Sequence, residues 1–498
     1  MLAEHQRDAV ARALAILERR GGVILADDVG LGKSFVAAAV AAEFDDVELI
    51  VPASLVPQWR ETLEMFGCEV AGLRGFEAHD RGTTQPRNRV TIVTHDTIKP
   101  STAQLVIVDE AHAFRNPATR RYDTLARHTI GAKLMLVTAT PVCNSARDLE
   151  ALIGLIARDD LLMDIGVPSI DLAFATRDIE RVVQELLIRR DRTVLPPALA
   201  FGALERRVVR YKVPSIDVDA LQFPLVEGAP LIRRFLRRRL ESSEAALRES
   251  IRRQRRFYER VLESGRVLSK RDYRRAFGAE EDEEIFQQVL FWDLWAPRGE
   301  LDTQAIRDEM QRLDAIHVEP SGKRELLVNM LTGEPAIVFT QFRATARELR
   351  AFLKCGDLHA FTSGRSNVLV TTDRNSEGLN LQRAAIVIHY DIPWNPVKLD
   401  QRNGRAHRIG QMRDTVKAIY FIPEDRGIMD VIARKNRIRR AALKTGANGP
   451  LPAATLRPRI TESAAVVRLV NQGLDVPEWL ERRHCAGLER LLRGNREI

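Results

Sequence analysis

The sequence predicts an α/β protein: two parallel-sheet lobes, a helical insertion between them and a short helical C-terminal tail. Three observations carry that prediction. Short β-branched runs alternate with helical stretches twice along the chain, and an arginine-rich segment with one apolar stripe separates the two sets. Three strings then stand in fixed order: LADDVGLGKS (Leu25 to Ser34), VDEAH (Val108 to His112) and QRNGRAHRIGQ (Gln401 to Gln411).

The first set of runs is VILA (Val23 to Ala26), ELIVP (Glu48 to Pro52), VTIVT (Val90 to Thr94), LVIVDE (Leu105 to Glu110) and KLMLVTAT (Lys133 to Thr140). The second is AIVFT (Ala336 to Thr340), NVLVTT (Asn367 to Thr372), AIVIHY (Ala385 to Tyr390) and VKAIYFI (Val416 to Ile422). Continuous apolar runs, rather than alternating ones, mark strands buried on both faces, as in a parallel sheet covered by helices. Between the sets, Ile232, Leu236, Leu240, Leu247, Ile251, Tyr258 and Leu262 recur at spacings of four and seven, one apolar stripe on an arginine-rich helix. An acidic patch, Glu280 to Glu284, closes this stretch, and GPLPAATLRP reads as a linker to a tail in which Asp475 caps a helix beginning near Pro477. The expected units are 1–200 and 319–445 for the lobes, 201–318 for the insertion and 446–498 for linker and tail.

A chain of 498 residues is too long for one ordinary core, which agrees with several units. The formal charge is +8, yet Leu231 to Arg275 holds sixteen Arg or Lys against six Asp or Glu. That local excess is larger than the charge of the whole chain, so a polyanionic partner is expected at the insertion. The four cysteines, Cys68, Cys143, Cys355 and Cys485, are scattered without a CxxC pair, which points away from a zinc site or a disulfide framework and toward a reducing, cytoplasmic setting, nucleoid-associated if the source is bacterial. The N-terminus is charged throughout, and no run approaches the roughly 20 apolar residues of a membrane helix, so no membrane role is expected.

The strings imply chemistry. Asp28, Val29, Gly30, Leu31 and Gly32 form a loop in which small residues let backbone N–H groups face a phosphate, ahead of a helix whose N-terminus favours an anion. Lys33 supplies charge to the β/γ oxygens of ATP and Ser34 a hydroxyl for Mg²⁺, although Asp27 stands where GxxxxGK[ST] begins with glycine. Asp109 follows a buried strand and is placed to hold Mg²⁺ through water, and Glu110 to orient and deprotonate the attacking water. Arg405 and Arg408 lie three apart, on one helical face, and act as arginine fingers worth about 10³ to 10⁵ in rate, roughly 4 to 7 kcal/mol, when the lobes close. Taken singly, these strings are also a glycine-rich turn, a strand end with chance acids and a solvated basic face.

Together the residues resemble the Swi/Snf-type ATPases of helicase superfamily two, most closely the bacterial branch that includes the RNA-polymerase-recycling ATPase. The likeness spans roughly Leu2 to Pro197 and Ser321 to Leu443. It implies two RecA-like lobes, Mg²⁺ and ATP, and movement along double-stranded DNA that remodels or displaces DNA-bound proteins, with a protein partner or target. It also implies that Gln6 reads adenine, that Asp27 is the expected residue at its position, and that His112 and Gln401 relay the state of the γ-phosphate. LIVPASLVPQW (Ser54, Trp59), IVTHDTI (Thr94), IVFTQF (Thr340, Gln341), SEGLNLQ (Gly378, Asn380) and YDIPWNP (Trp394) resemble the family's nucleic-acid and bridging elements, Gly378 lying on the nucleotide side. LVTATPVCN, with Thr138 and Thr140, matches the coupling element, and LIRRDRTVLPP the close of the first lobe. Asp28, Val29 and Ser34 depart mildly from the pattern; the stretches from Leu353 to Val368 and from Lys99 to Gln104 are shortened. Two other functions stay open at this point, a strand-separating helicase on DNA or RNA and a nucleotide-gated clamp with slow hydrolysis.

Overall fold

The computed structural model describes residues 2–71, 88–99, 101–143, 146–195, 202–214, 216, 220–224, 229–266, 301–318, 320–373, 381–393, 396–408, 411 and 413–424. Gly378, Asn380, Trp394, the acidic patch, the linker and the tail lie outside the described residues.

Two all-parallel sheets form the frame. The first contains β1 (Gly22–Leu25), β2 (Asp46–Val51), β3 (Glu69–Ala71), β4 (Arg89–Thr94), β5 (Leu105–Asp109), β6 (Lys133–Val137) and β7 (Leu187–Ile188), in the order β3-β4-β2-β5-β6-β1-β7. The second contains β8 (Ala203–Tyr211), β9 (Ala336–Thr340), β10 (Val368–Thr372), β11 (Ile386–His389) and β12 (Thr415–Pro423), in the order β10-β9-β11-β12-β8. Each run of β-branched residues in the sequence is a strand here. Separate apolar clusters cover the two faces of each sheet, which is why the central strands carry no polar alternation.

Register sets the site. Val137 pairs with Leu25 on one side and with Asp109 on the other, so β1, β6 and β5 end level at one sheet edge. Adjacent strands lie about 4.8 Å apart, which puts the phosphate loop after β1 and the acids after β5 roughly 10 Å apart at the carboxyl edge, where α/β sheets bind ligands.

The stretch expected to be a helical insertion opens instead with a strand. β8 pairs in parallel with β12 over nine residues, from Ala203↔Thr415 to Tyr211↔Pro423. Its sequence, ALERRVVRY, reads as polar because it is an edge strand with most side chains exposed, Val208 at 48%. β3 and β7 are edge strands too, of three and two residues, and give no apolar run.

The apolar stripe of the insertion is real but runs over two helices, Ala229–Ser242 and Glu244–Ser264. Ser243 ends the first and caps the second, its hydroxyl accepting from the Ala246 N–H at 3.1 Å. Ile232, Leu236, Leu240, Leu247 and Tyr258 are buried together, with Ile306 and Leu313 of the Thr303–Asp314 helix opposite. This elbow is bolted to the second lobe. Ser242 donates to Asp391 at 2.7 Å, and the buried Lys323 ammonium donates to the carbonyls of Glu241 (2.6 Å) and Ser242 (3.2 Å) between the rings of Tyr211 and Tyr390. No helix among the described residues is long and apolar enough to cross a membrane.

Candidate active site

Asp27 is fully buried at the head of the phosphate loop, where its carboxylate accepts the Arg190 backbone N–H at 2.9 Å and the Arg190 guanidinium through both oxygens. Ala26 and Asp28 also donate to the carbonyls of Ile188 and Arg190. Asp replaces glycine there because the loop is anchored to the chain leaving β7. Gly30 and Gly32 take φ of 94° and 82°, the left-handed region that favours glycine. A Cβ on Gly32 would stand 2.3 Å from Gln6 Nε2.

Gln6 is buried against this loop. Its Nε2 donates to the Leu31 carbonyl at 3.1 Å and its Oε1 accepts the Ala3 N–H at 3.0 Å, so both ends of the amide expected at adenine are engaged within the protein. Its Nε2 has a second hydrogen and its Oε1 a second lone pair, the two positions that pairing with a base would use. Lys33 opens the Lys33–Ala41 helix and folds back onto the carbonyls of Asp27 (2.8 Å) and Asp28 (3.2 Å). Burial lowers its proton affinity, against the pull of Asp27, Glu110, Asp109 and Asp28. No acidic side chain occupies the first turn of this helix, so its N-terminal dipole is left for an anion; Ser34 is half-buried in the same turn.

Asp109 ends β5 almost fully buried. Its Oδ2 accepts the Trp59 indole N–H at 2.8 Å and its Oδ1 the Glu110 N–H at 2.9 Å. Trp59, expected at nucleic acid, is only 2% exposed, and its polar atom is committed to this carboxylate; a buried indole has to place its N–H somewhere, and Asp109 is the partner. Glu110 has φ of 49°, a strained value for a side-chain-bearing residue, which turns its carboxylate off the strand line. Its Oε2 lies 3.1 Å from His112 Nδ1. The two acids are pushed apart: burial and the neighbouring Glu110 charge raise Asp109, whereas for Glu110 burial is outweighed by His112, Lys33 and Arg405, which hold it below the usual carboxylate range.

His95, which the sequence did not single out, backs this strand end. Its Nε2 is 2.9 Å from the Asp109 carbonyl and burial pushes it down to about 4. Thr138 and Thr140 are buried just beyond β6, with the Thr140 N–H on the Thr138 hydroxyl at 3.1 Å.

The second lobe presents the Pro396–Ala406 helix to the loop. Gly404 lies against Val29: a Cβ there would come within 2.2 Å of Val29 Cγ1. Arg405 is near enough to Glu110 to help hold that carboxylate charged. Arg408 is not one helical turn along from it, as expected, because the helix ends at Ala406 and Arg408 follows in a bend. Among the described residues its Nε is buried with no hydrogen-bond partner, and burial together with the Arg405 charge disfavours its cation. Gln401 is half-buried on the same helix. Arg402, missed in the sequence, points into the lobe, paired with Asp373 at 2.5 and 2.9 Å and donating to the Asp391 carbonyl at 2.9 Å.

The remaining candidates divide. Ser54 is exposed beyond β2, and Thr94 is half-buried at the end of β4, 2.9 Å from the Thr97 hydroxyl. Thr340 corrects the expectation of a nucleic-acid contact: it is fully buried and donates to Asp391 at 2.5 Å, since a hydroxyl sealed in a core needs an internal acceptor. Gln341 is half-buried, bonded to Asp391 through its N–H (2.9 Å) and to Arg238 through its side-chain carbonyl.

Comparison with known proteins agrees with this layout. An SNF2-related domain matches residues 5–163 and a helicase conserved C-terminal domain residues 322–410. The chain is similar to the uncharacterized ATP-dependent helicase YqhH of Bacillus subtilis (strain 168), 25% identical over 445 residues, 81% of this chain and 72% of that protein. It is 22% identical to the CHD3-type chromatin-remodeling factor CHR7 of Arabidopsis thaliana over 79% of this chain and 33% of that one, and 24% identical to the ATP-dependent helicase brm of Drosophila melanogaster over 83% and 27%. It thus spans about a third or less of the two eukaryotic proteins. A chain that carries these two domains in this order, and faces them across one phosphate loop, belongs with the ATP-dependent helicases and ATPases of the SNF2 family.

Proposed function

We propose that this chain is an ATP-driven translocase on double-stranded DNA that remodels or displaces proteins bound there. The observation that carries the proposal is the approach of the arginine helix to the phosphate loop, Gly404 against Val29, with the Arg405 charge reaching Glu110. Hydrolysis then depends on how the lobes stand. Lys33 leaves the carbonyls of Asp27 and Asp28 for the β/γ oxygens. Glu110, held ionised, orients the attacking water and takes its proton, while Arg405 and Arg408 meet the charge that builds on the transferring phosphoryl group. His112 and Gln401 relay the γ-phosphate state between lobes, and Gln6 turns to the base.

The donor set suits Mg²⁺, a hard cation that takes oxygen ligands: the Ser34 hydroxyl and the Asp109 carboxylate, each of whose oxygens accepts one N–H and keeps a lone pair. When bound, the ion offsets phosphate charge.

A duplex substrate is supported by the arginines of the Glu244–Ser264 helix. Arg248, Arg252, Arg256 and Arg260 are exposed at four-residue intervals, a row that follows a phosphate backbone, and the CHR7 relative is named as a chromatin-remodeling factor. Ser54, Thr94 and Gln341 are the further contacts proposed among the described residues.

Steady-state ATPase without nucleic acid and with duplex DNA, single-stranded DNA or RNA, run beside triplex-displacement and strand-separation assays, tests this. Duplex stimulation with third-strand displacement and no unwinding is the expected result. Unwinding, or binding with negligible turnover, overturns it.

A further inference from the structure

We infer that His407 is a positioning residue for ATP hydrolysis, tying both ends of the connection between the lobes to the arginine pair that flanks it. This rests on the ATPase activity alone and not on the choice of nucleic acid.

His407 stands between Arg405 and Arg408, just past the end of the Pro396–Ala406 helix, and is 4% exposed. Its ring spans two partners, neither from its own element. Arg192 Nη1 lies 2.8 Å from Nδ1, and the Gly202 carbonyl 2.6 Å from Nε2. A guanidinium only donates and a carbonyl only accepts, so one neutral tautomer satisfies both: Nδ1 accepts and Nε2 carries the hydrogen. Burial, with Arg192 and Arg206 close by, keeps the proton affinity of this ring below the ordinary histidine value.

The two partners bracket the passage from one lobe to the other. Arg192 belongs to the Arg192–Val194 turn, where the chain leaves the first lobe, and Asp191 caps that turn by accepting the Thr193 N–H at 2.9 Å. Gly202 sits at the entry to β8 and is fixed on the second sheet: a Cβ there would lie 2.3 Å from the Asp414 carbonyl oxygen, which also accepts the Ala203 N–H at 2.6 Å. Arg192 reaches further. Its Nη2 donates to the Val29 carbonyl of the phosphate loop at 3.4 Å, and Val29 is the residue against which Gly404 packs.

One ring therefore touches the exit of the first lobe and the entry of the second, and stands in the backbone between two candidate fingers. A change in the angle between lobes either breaks the Arg192 bond or carries His407, and with it Arg405 and Arg408, relative to the phosphate loop. With Arg192, His407 and Gly202 so joined, Arg405 stands near enough to Glu110 to help hold its carboxylate charged.

The test is a double-mutant cycle in the full chain: Arg192→Ala, His407→Ala, the double variant, and His407→Asn, whose side-chain carbonyl restores an acceptor where Nδ1 stood. Each is assayed for kcat and KM for ATP beside the parent, with Lys33→Ala as the inactive reference and thermal unfolding as the check on folding. The expected result is a loss of kcat on the order of tenfold in each alanine variant with KM moved less than about threefold, a double variant no worse than either single one, and recovery of at least about half the lost rate in His407→Asn. Independent losses that multiply to about 100-fold in the double variant overturn the inference, as do single variants within about twofold of the parent, or His407→Asn no better than His407→Ala. Should His407→Ala fail to fold, Arg192→Ala decides: reduced kcat at unchanged melting temperature supports the coupling, and parental kcat overturns it.

Discussion

Each lobe ends its sheet in acids, and the two sets are treated in opposite ways. In the first lobe Asp109 and Glu110 are close together with N–H groups, His112 and distant cations around them, and their proton affinities are driven apart. In the second, Asp373 and Asp391 are joined by Arg402, whose guanidinium is 1% exposed, and although burial works against its charge, Arg402 holds Asp373 below the ordinary carboxylate range. The contrast separates the acids proposed for chemistry from acids kept for architecture: among the described residues the first pair has no guanidinium bonded directly to it, whereas the second shares one that is held between its members.

Breaking that contrast at the chemical pair has the largest expected effect. Lys33→Ala and Glu110→Gln each lower stimulated ATPase by at least about 10³-fold with the melting temperature nearly unchanged, and stimulated hydrolysis surviving either change would sink the site assignment. The architectural pair responds in the other observable. Arg402→Ala leaves the buried Asp391 and the half-buried Asp373 without their cation and lowers unfolding stability by about 3 kcal/mol in denaturant titration, whereas Arg405→Ala leaves stability nearly intact and removes about 10²-fold or more in kcat.

Acid sharpens the same division. Asp109 is raised, so its ionised form, and with it turnover, is lost at a pH above the usual carboxylate range as pH falls. Asp373 is depressed, so its stabilising contribution is full above its unfolded pKa and disappears only as pH drops through the lower folded value. The acid limb of kcat/KM should therefore precede acid unfolding followed by circular dichroism; coincident midpoints count against the distinction.

Smaller effects are expected at the contact between lobes. Gly404→Ala pushes the arginine helix from Val29 and lowers kcat by about tenfold, and Val29→Ala in the same chain restores most of it by clearing the space. Smallest is Trp59→Phe, which removes one hydrogen bond of about 1 kcal/mol from Asp109, shifts the acid limb upward and leaves the affinity for DNA unchanged in a binding titration.

The strands at the centre of both sheets were legible because burial on two faces writes an unbroken apolar run, as in LVIV before Asp109 and AIVF before Thr340. β8 was not, since solvent on an edge allows Glu205, Arg206 and Arg207 to stand in a strand. At the site, motif likeness gave the address of a residue but not the direction of its side chain. Trp59 and Thr340 sit at the expected places and turn inward, because Asp109 and Asp391 need donors. Arg402 looks like its neighbours Arg405 and Arg408 in the string, and only the helix phase against the sheet sends it into the lobe. His407 was passed over for the same reason: its partners, Arg192 and Gly202, are over two hundred positions away.

The elbow at Ser242 and Ser243 has a mechanical side. Ser242 holds Asp391 by its carboxylate and Arg402 holds the same residue by its carbonyl, so insertion and arginine helix are mounted on one amino acid. There is no slack joint between them. On the translocase function proposed above, a swing of the second lobe would carry the arm of the insertion through the same angle, so that a polymer gripped by its arginines would be hauled rather than merely touched, the stroke at the tip growing with the length of the arm.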